Sequence, residues 1–237
     1  MSFELDLLEG GDIEVLGLVP YSSNYTFLAR VRKGDNECLA IHKPTKGERP
    51  LWDFPPGSLA GRERAAFLIS EASGWHIVPP TVVRSEGPMG PGSLQLFIDH
   101  DPEVHYFTVM HDRLEDLAVF AAFDVVANNA DRKSGHVLED AHGKLWGVDH
   151  GLTFHLEDKL RTVIWAFADE PLTGSVHVGL ERLGEALTGP DRDLGAELAH
   201  DLAPDEVAAT LTRVEILLVE DRFPAPRSDR PLPWPLI

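Results

Sequence analysis

The N-terminal third of the chain carries short runs of branched and aromatic residues, which is the pattern of β-strands. Residues 13–19, 25–31 and 36–43 each form such a run, and polar turns separate them. Because short polar turns join neighbouring antiparallel strands, the sequence predicts three antiparallel strands here. Residues 94–99, which follow a Gly- and Pro-rich stretch, predict a further strand.

Farther along the chain the apolar positions change to a helical period. Residues 60–73 place apolar side chains on one broad face, and residues 114–128 are strongly apolar, which predicts a buried helix. Residues 176–187 and 205–219 show the same period and are bounded by Gly or Pro. The pattern therefore predicts an α+β protein with a β-rich beginning and a mainly helical remainder.

Two stretches without a helical period are expected to be ordered. Trp52 and Phe54 are expected to pin the loop at residues 50–57 to the rest of the protein. The tail at residues 222–237 has five prolines, which exclude a regular helix and predict an extended strap.

Composition narrows the possible partners and the compartment. The 237 residues suit one large domain or two small lobes, and the net charge of −18 disfavours nucleic acid and anionic membrane surfaces as partners. Cys38 is the single cysteine, which excludes an internal disulfide and fits a reducing compartment. The chain shows neither a leader pattern nor a long apolar run. We therefore expect a cytoplasmic protein without stable membrane association; its oligomeric state is not indicated.

One carboxylate lies inside a segment that is expected to be buried. Asp124 belongs to the apolar run at residues 114–128. A buried carboxylate needs a partner, because transfer of an unpaired charge from water is costly. Arg132 is the nearest candidate in the sequence.

Two aspartates, Asp131 and Asp149, flank a predicted hairpin. Residues 137–138 and 145–146 are apolar, and the polar run between them contains the Gly expected of a turn. The hairpin would bring the two carboxylates toward one point, with Lys133 close by. Two carboxylates and a cation suit a divalent metal and a polyphosphate, which is the arrangement that a phosphotransferase needs.

The residues around these aspartates resemble the motifs of the phosphoinositide-kinase-like branch of the protein-kinase-like enzymes. Asp-Arg-Lys at residues 131–133 is similar to Asp-Arg-His-x-x-Asn, and Val-Asp-His-Gly at residues 148–151 is similar to Ile-Asp-x-Gly. His136 stands where that pattern has its metal-binding Asn. The run Asn-Asn-Ala-Asp-Arg-Lys also resembles a bacterial family related to phosphoinositide kinases.

The resemblance implies a two-lobed, protein-kinase-like α+β fold. Residues 1–99 would form a β-rich N-lobe and residues 100–237 a mainly helical C-lobe. The cleft between the lobes would hold ATP with Mg²⁺ or Mn²⁺.

The resemblance also implies roles for the residues near the hairpin. Asp131 would orient or deprotonate the acceptor hydroxyl, and Lys133 would stabilise the transferring phosphate. Asp149 would hold the metal against the phosphate oxygens, with His136 as a second ligand.

A further group of residues is expected to bind the nucleotide. The turn after the first strand would cover the phosphates, a lysine fixed by a helix glutamate would pair with them, and backbone groups near the hinge would meet the adenine. These residues are Ser22, Ser23, Asn24, Lys43, Glu63, Phe97 and Asp99.

Several alternatives remain open from the sequence. The acceptor is a protein, a small molecule or the protein itself, and a reversed nucleotide would transfer AMP with the same residues. The fold would also suit a catalytically inactive nucleotide-binding protein. Finally, three histidines with the two aspartates could form the metal site of a hydrolase; these are His136, His150, His155, Asp131 and Asp149.

Overall fold

An antiparallel sheet forms the N-terminal part of the protein. The computed structural model describes residues 3–20, 25–189 and 194–237. Within these ranges the sheet has the order β1-β2-β3-β5-β4, with β1 (Asp12–Leu18), β2 (Phe27–Lys33), β3 (Asn36–Pro44), β4 (Thr81–Arg84) and β5 (Gly92–Leu96). The three strands predicted between residues 13 and 43 are confirmed. The strand predicted at residues 94–99 is present as β5, which begins and ends earlier.

Two helices flank this sheet, α1 (Phe3–Gly10) and α2 (Leu59–Ala72). The small core between α1 and the sheet contains Leu8, Val31 and Leu94. The sequence does not predict α1, because eight residues are too few to show a clear helical period. The second helix, α2, corresponds to the prediction at residues 60–73.

The remainder of the described chain is mainly helical. Its elements are α3 (Tyr106–Val109), α4 (Leu114–Ala127), β6 (Val137–Glu139), β7 (Leu145–Gly147), α5 (Gly174–Thr188), α6 (Leu194–Leu198) and α7 (Pro204–Glu220). The helices predicted at residues 114–128, 176–187 and 205–219 are confirmed as α4, α5 and α7, whereas α3 and α6 are too short to be predicted from periodicity. Among the described helices, none has both the length and the apolar character needed to cross a membrane.

The main hydrophobic core joins α2 to these helices. Buried side chains of α2, α4, α5 and α7 contact one another in a single cluster. Two ion pairs fasten the same helix: Arg62 Nη2 lies 2.6 Å from Glu206 of α7, and Arg64 Nη1 lies 2.6 Å from Asp201. Helix α2 is therefore held by both the sheet and the helical part.

Helix α4 ends in a left-handed turn that directs the chain toward the hairpin. Asn128 has φ 49°, a conformation that Asn tolerates better than most residues. Its side-chain amide donates to the carbonyls of His155 and Glu157, at 2.8 and 2.7 Å. After this turn, β6 and β7 form the predicted hairpin, with Leu138 opposite Trp146.

The C-terminal tail is an extended strap, as predicted. The Pro231 carbonyl accepts hydrogen bonds from the Thr162 amide (3.1 Å) and from the Trp165 indole (3.0 Å). Farther along, the Leu236 carbonyl accepts the Ser134 amide at 2.8 Å. The strap therefore reaches the loop that carries Asp131.

The expectation for the loop at residues 50–57 is half wrong. Phe54 is buried and pins the loop, but the Trp52 side chain is 89% exposed. The Lys159 ammonium lies 4.9 Å from the Trp52 ring centroid, so the indole contacts a cation at the surface and not the core.

Candidate active site

Lys43 lies between two carboxylates that come from distant parts of the chain. Strand β3 directs its ammonium toward α2, where Nζ lies 2.5 Å from Glu63 Oε1. The same Nζ lies 2.7 Å from Asp149 Oδ1. The contact between Lys43 and Glu63 was predicted; the contact with Asp149 was not, because 106 residues separate the two in sequence.

The electrostatics of Lys43 and Asp149 fix the protonation states of these two groups. Burial disfavours the charged ammonium, but the two carboxylates more than offset that cost and raise the pKa of Lys43. In return, the Lys43 charge holds the pKa of Asp149 well below its usual range. Lys43 is therefore cationic and Asp149 anionic at neutral pH.

Glu63 also positions the backbone next to Asp149. It is almost completely buried, and its second oxygen accepts the His150 amide at 2.9 Å. Asp149 itself has φ 61°, which is uncommon for a residue other than glycine. Glu63 thus holds both Lys43 and the strained turn that presents the Asp149 carboxylate.

His136 faces the other oxygen of Asp149. Its Nε2 lies 3.3 Å from Asp149 Oδ2, and burial lowers the pKa of His136 to about 4. The ring is therefore neutral at pH 7. The Lys133 amide points at Nδ1 from 3.4 Å, so the ring hydrogen in this arrangement is on Nε2 and is donated to Asp149.

Asp131 lines the same cleft and is held by its neighbours. Its carboxylate lies 3.1 Å from Lys133 Nζ, and its amide donates to the Asn129 side chain at 3.0 Å. Burial raises the pKa of Asp131, Lys133 opposes this shift, and Asp149 adds to it. A carboxylate with a raised pKa is a better proton acceptor than an ordinary one.

A buried ion pair supports the loop from beneath. Arg132 and Asp124 are both fully buried and lie 2.8 Å apart, which confirms the predicted pairing. Arg132 Nη2 also donates to His150 Nε2 at 2.8 Å, and Asn129 donates to Asp124 at 2.9 Å. The lone carboxylate inside an apolar helix predicts the ion pair with Arg132. No sequence pattern predicts the roles of Asn129 and His150 in this network.

The histidines do not assemble into the metal site of a hydrolase. His150 Nε2 is taken by Arg132, and burial and that charge lower the pKa of His150 well below its ordinary value. The His155 ring bonds to the Asp53 carbonyl at 2.9 Å instead. Across the described residues, no group of three His, Cys, Asp or Glu side chains could hold a metal ion.

Two side chains remain that fit a divalent cation bound together with a nucleotide. The Asp149 carboxylate is 48% exposed toward the cleft, and the neutral His136 ring is beside it. Mg²⁺ in nucleotide sites takes one or two protein ligands and completes its shell with phosphate oxygens and water. The donor set therefore suits a metal carried by a polyphosphate, and binding through His136 Nε2 would require its other tautomer.

The cleft around these residues has a volume of about 160 Å³. Its lining includes Lys43, Glu63, Asp131 and Asp149, which places these predicted residues on one surface. Helix α2 and strand β3 supply one wall, and the segment after Asp149 supplies another.

The other predicted nucleotide contacts are less well placed. The Phe97 amide donates to the Leu39 carbonyl at 3.0 Å, so it is not free for a ligand, and Asp99 is exposed. In the described part of the chain, neither residue lines the cleft. The remaining three predicted contacts, Ser22, Ser23 and Asn24, lie outside the described residues.

Two known proteins are similar in sequence to this chain. No protein-family model matches the chain. The chain is 39% identical to Protein Rv2133c of Mycobacterium tuberculosis strain ATCC 25618 / H37Rv, over 97% of this chain and 94% of that protein. It is also 26% identical to phosphatidylinositol 4-kinase gamma 4 of Oryza sativa subsp. japonica, over 84% of this chain but only 39% of the kinase.

Two solved structures share the fold of this chain. The Golgi casein kinase with Mn/ADP bound superposes with a TM-score of 0.57 and 15% identity, over 92% of this chain and 74% of that one. Hydra Fam20 with sugar superposes with a TM-score of 0.57 and 15% identity, over 91% and 86% of the two chains. The fold is therefore kinase-like, in agreement with the sequence prediction.

Proposed function

The chain belongs to the family of Protein Rv2133c and has an atypical-kinase-like fold, and on this basis we propose that it is an ATP- and divalent-metal-dependent phosphotransferase. One observation carries the proposal: Lys43 Nζ contacts both Glu63 and Asp149, and Asp131 lines the same cleft. A cation held by two carboxylates next to a third carboxylate has the charge distribution that a polyphosphate with its metal requires.

In this proposal Lys43 binds the non-transferred phosphates and Asp149 holds the divalent metal, with His136 as a second ligand. The metal would neutralise charge on the phosphate oxygens. When ATP and metal bind, the Asp149 carboxylate would exchange part of its contact with Lys43 for the cation. The presence of Mn and ADP in the Golgi casein kinase supports this choice of ligands.

Asp131 would accept the proton of the acceptor hydroxyl. The hydroxyl oxygen then bonds to the γ-phosphorus as the bond from that phosphorus to the bridging oxygen breaks, and ADP leaves with the electron pair. Lys133, 3.1 Å from Asp131, would stabilise the transferring phosphoryl group. We also propose that residues 1–99 and 100–237 are the two lobes, and that the protein acts in the reducing cytoplasm, which suits the free thiol of Cys38.

Mass spectrometry of the reaction products tests the proposal. Wild-type protein incubated with ATP, Mg²⁺ or Mn²⁺ and candidate acceptors, including the protein itself, should form ADP and a phosphorylated product. Asp131→Asn should bind ATP within about tenfold of wild type but turn over on the order of 10² times more slowly, the scale of positioned acid–base catalysis. An exposed control, Asp116→Asn, should match wild type.

The products also separate the alternatives. Equal transfer by Asp131→Asn and wild type would contradict the proposed mechanism. Pyrophosphate release with an AMP-modified acceptor would show nucleotidyl transfer, and metal-dependent ATP binding without any product would show a nucleotide-binding protein that is not a catalyst.

A further inference from the structure

A second cavity, of about 410 Å³, lies in the helical part of the protein. Its walls are the end of α4, helix α7 and the segment at residues 156–169, and residues 222–228 of the strap form its outer side. About half of the lining residues are apolar, among them Leu156, Leu160, Trp165, Ile216, Leu217 and Phe223. Neither Asp131 nor Asp149 belongs to this lining, so the cavity is separate from the candidate active site.

Arg213 is the cation in the inner wall of this cavity. Its Nη2 donates to the His155 carbonyl at 2.5 Å. Its Nη1 is shielded from solvent, and the described residues offer it no hydrogen-bond partner. Asp158 and Glu206 attract the guanidinium only at longer range, and burial outweighs them and lowers the pKa of Arg213.

This arrangement is unusual in so acidic a chain. The protein has 39 Asp and Glu residues against 21 Lys and Arg residues, yet none of the described carboxylates bonds to the buried nitrogen of Arg213. A buried donor of a charged group without an acceptor is unfavourable. An anion in the cavity would remove this cost once a rotation of the Arg213 side chain turned Nη1 toward it.

We propose that the cavity binds a small molecule with an extended apolar body and a carboxylate head, and that one carboxylate oxygen accepts a hydrogen bond from Arg213 Nη1. The aliphatic and aromatic walls suit the apolar body, as in most small-molecule sites. Nη2 donates one hydrogen to His155, whereas Nη1 has no partner among the described residues, so Nη1 is the donor assigned to the head. The proposal does not depend on phosphotransfer.

The charges at the mouth of the cavity do not select the ligand. Arg222 and Arg227 are exposed there, and so are Asp158, Asp169 and Glu220, so the mouth has no excess of positive charge. Arg213 is therefore the group expected to distinguish a carboxylate from a neutral head. Its bonding partner, the His155 carbonyl, also accepts a hydrogen bond from Asn128, the residue at the end of α4.

Nuclear magnetic resonance of the intact protein tests this site with octanoate as the carboxylate and octanol as its neutral counterpart. The Trp165 indole N–H lines the cavity and donates to Pro231, and Trp165→Phe identifies its signal. Octanoate should shift this signal saturably and should bind on the order of tenfold more tightly than octanol, because the head gains a charge-assisted hydrogen bond.

Two substitutions separate the head from the body. Arg213→Met should lower octanoate affinity on the order of tenfold and leave octanol binding unchanged. Ile216→Phe, at a partly exposed position of α7, should fill the cavity and weaken both ligands. Arg182→Met, on α5 and outside the lining, is the matched control and should change neither.

Three results would overturn the proposal. They are the absence of a saturable Trp165 shift at millimolar octanoate, equal affinity for octanoate and octanol, and unchanged octanoate affinity in Arg213→Met. If Arg213→Met does not fold, Ile216→Phe still decides: undiminished octanoate binding by that variant would place the ligand outside the cavity.

Discussion

At the scale of single residues, Asp149 is the carboxylate on which the other groups converge. One of its oxygens meets Lys43 and the other meets His136, and Glu63 fixes the turn that presents it. Its positive φ of 61° is a strained conformation for an aspartate. The surrounding contacts hold this strain in place, so the carboxylate is oriented toward the cleft before any ligand arrives.

His136 is the residue that departs most clearly from the kinase pattern, and it gives a test of metal choice. An imidazole nitrogen is a softer ligand than the amide oxygen of Asn and favours Mn²⁺ over Mg²⁺. If His136 binds the metal, wild-type activity should be higher with Mn²⁺, and His136→Asn should shift the ratio toward Mg²⁺. Turnover measured at equal concentrations of the two metals checks this.

The control for His136 is an exposed histidine, and His142→Asn should leave the Mn²⁺/Mg²⁺ ratio unchanged. A ratio that is also unchanged in His136→Asn would show a structural role for His136. The geometry already defines that role: the ring would donate from Nε2 to Asp149 and accept the Lys133 amide at Nδ1.

At the scale of elements, helix α2 is anchored by a buried arginine in addition to its packing against the sheet. The Arg62 side chain is 1% exposed and reaches both Glu206 of α7 and the Thr153 carbonyl in the segment after Asp149. Because Arg62 precedes Glu63, this anchor also fixes the glutamate that holds Lys43. The two residues of this pair are 144 positions apart, so no local sequence pattern predicts it.

Replacement of Arg62 should therefore be costly. Arg62→Met would leave the mostly buried Glu206 carboxylate without its partner, and the free energy of unfolding should fall by about 3–5 kcal/mol. Urea denaturation checks this. The control is Lys33→Met, which breaks an exposed pair with Asp6 and should cost less than about 1 kcal/mol. A loss as small as the control's in Arg62→Met would show that α2 does not depend on this anchor.

At the scale of the whole molecule, the sequence predicts the order of helices and strands more accurately than it predicts contacts between individual residues. Long periodic segments such as α4 and α7, and the hairpin of β6 and β7, appear where the pattern places them. Short helices escape prediction because one or two turns show no period. Trp52 was misjudged because an indole is large enough to suggest burial, although it also serves at surfaces beside cations.

For the candidate site, too, some features are predictable from the sequence and others are not. Local motifs predict roles for Asp131, Lys133 and Asp149, and the lone carboxylate of Asp124 correctly predicts its buried partner Arg132. Contacts between distant segments, such as Lys43 with Asp149, depend on how the sheet and the helical part meet and leave no local pattern. Backbone contacts to a nucleotide have no side-chain signature either, which is why the assignment of Phe97 and Asp99 stays a prediction.

The measurement that tests the central claim most directly is calorimetric titration of ATP into wild type and Asp149→Ala, each with Mg²⁺ and with a chelator. Wild type should bind ATP more tightly when metal is present, and Asp149→Ala should lose this gain while circular dichroism shows an intact fold. Asp35→Ala, in the exposed turn between β2 and β3, should behave as wild type. Undiminished metal-supported ATP binding by folded Asp149→Ala would contradict the account.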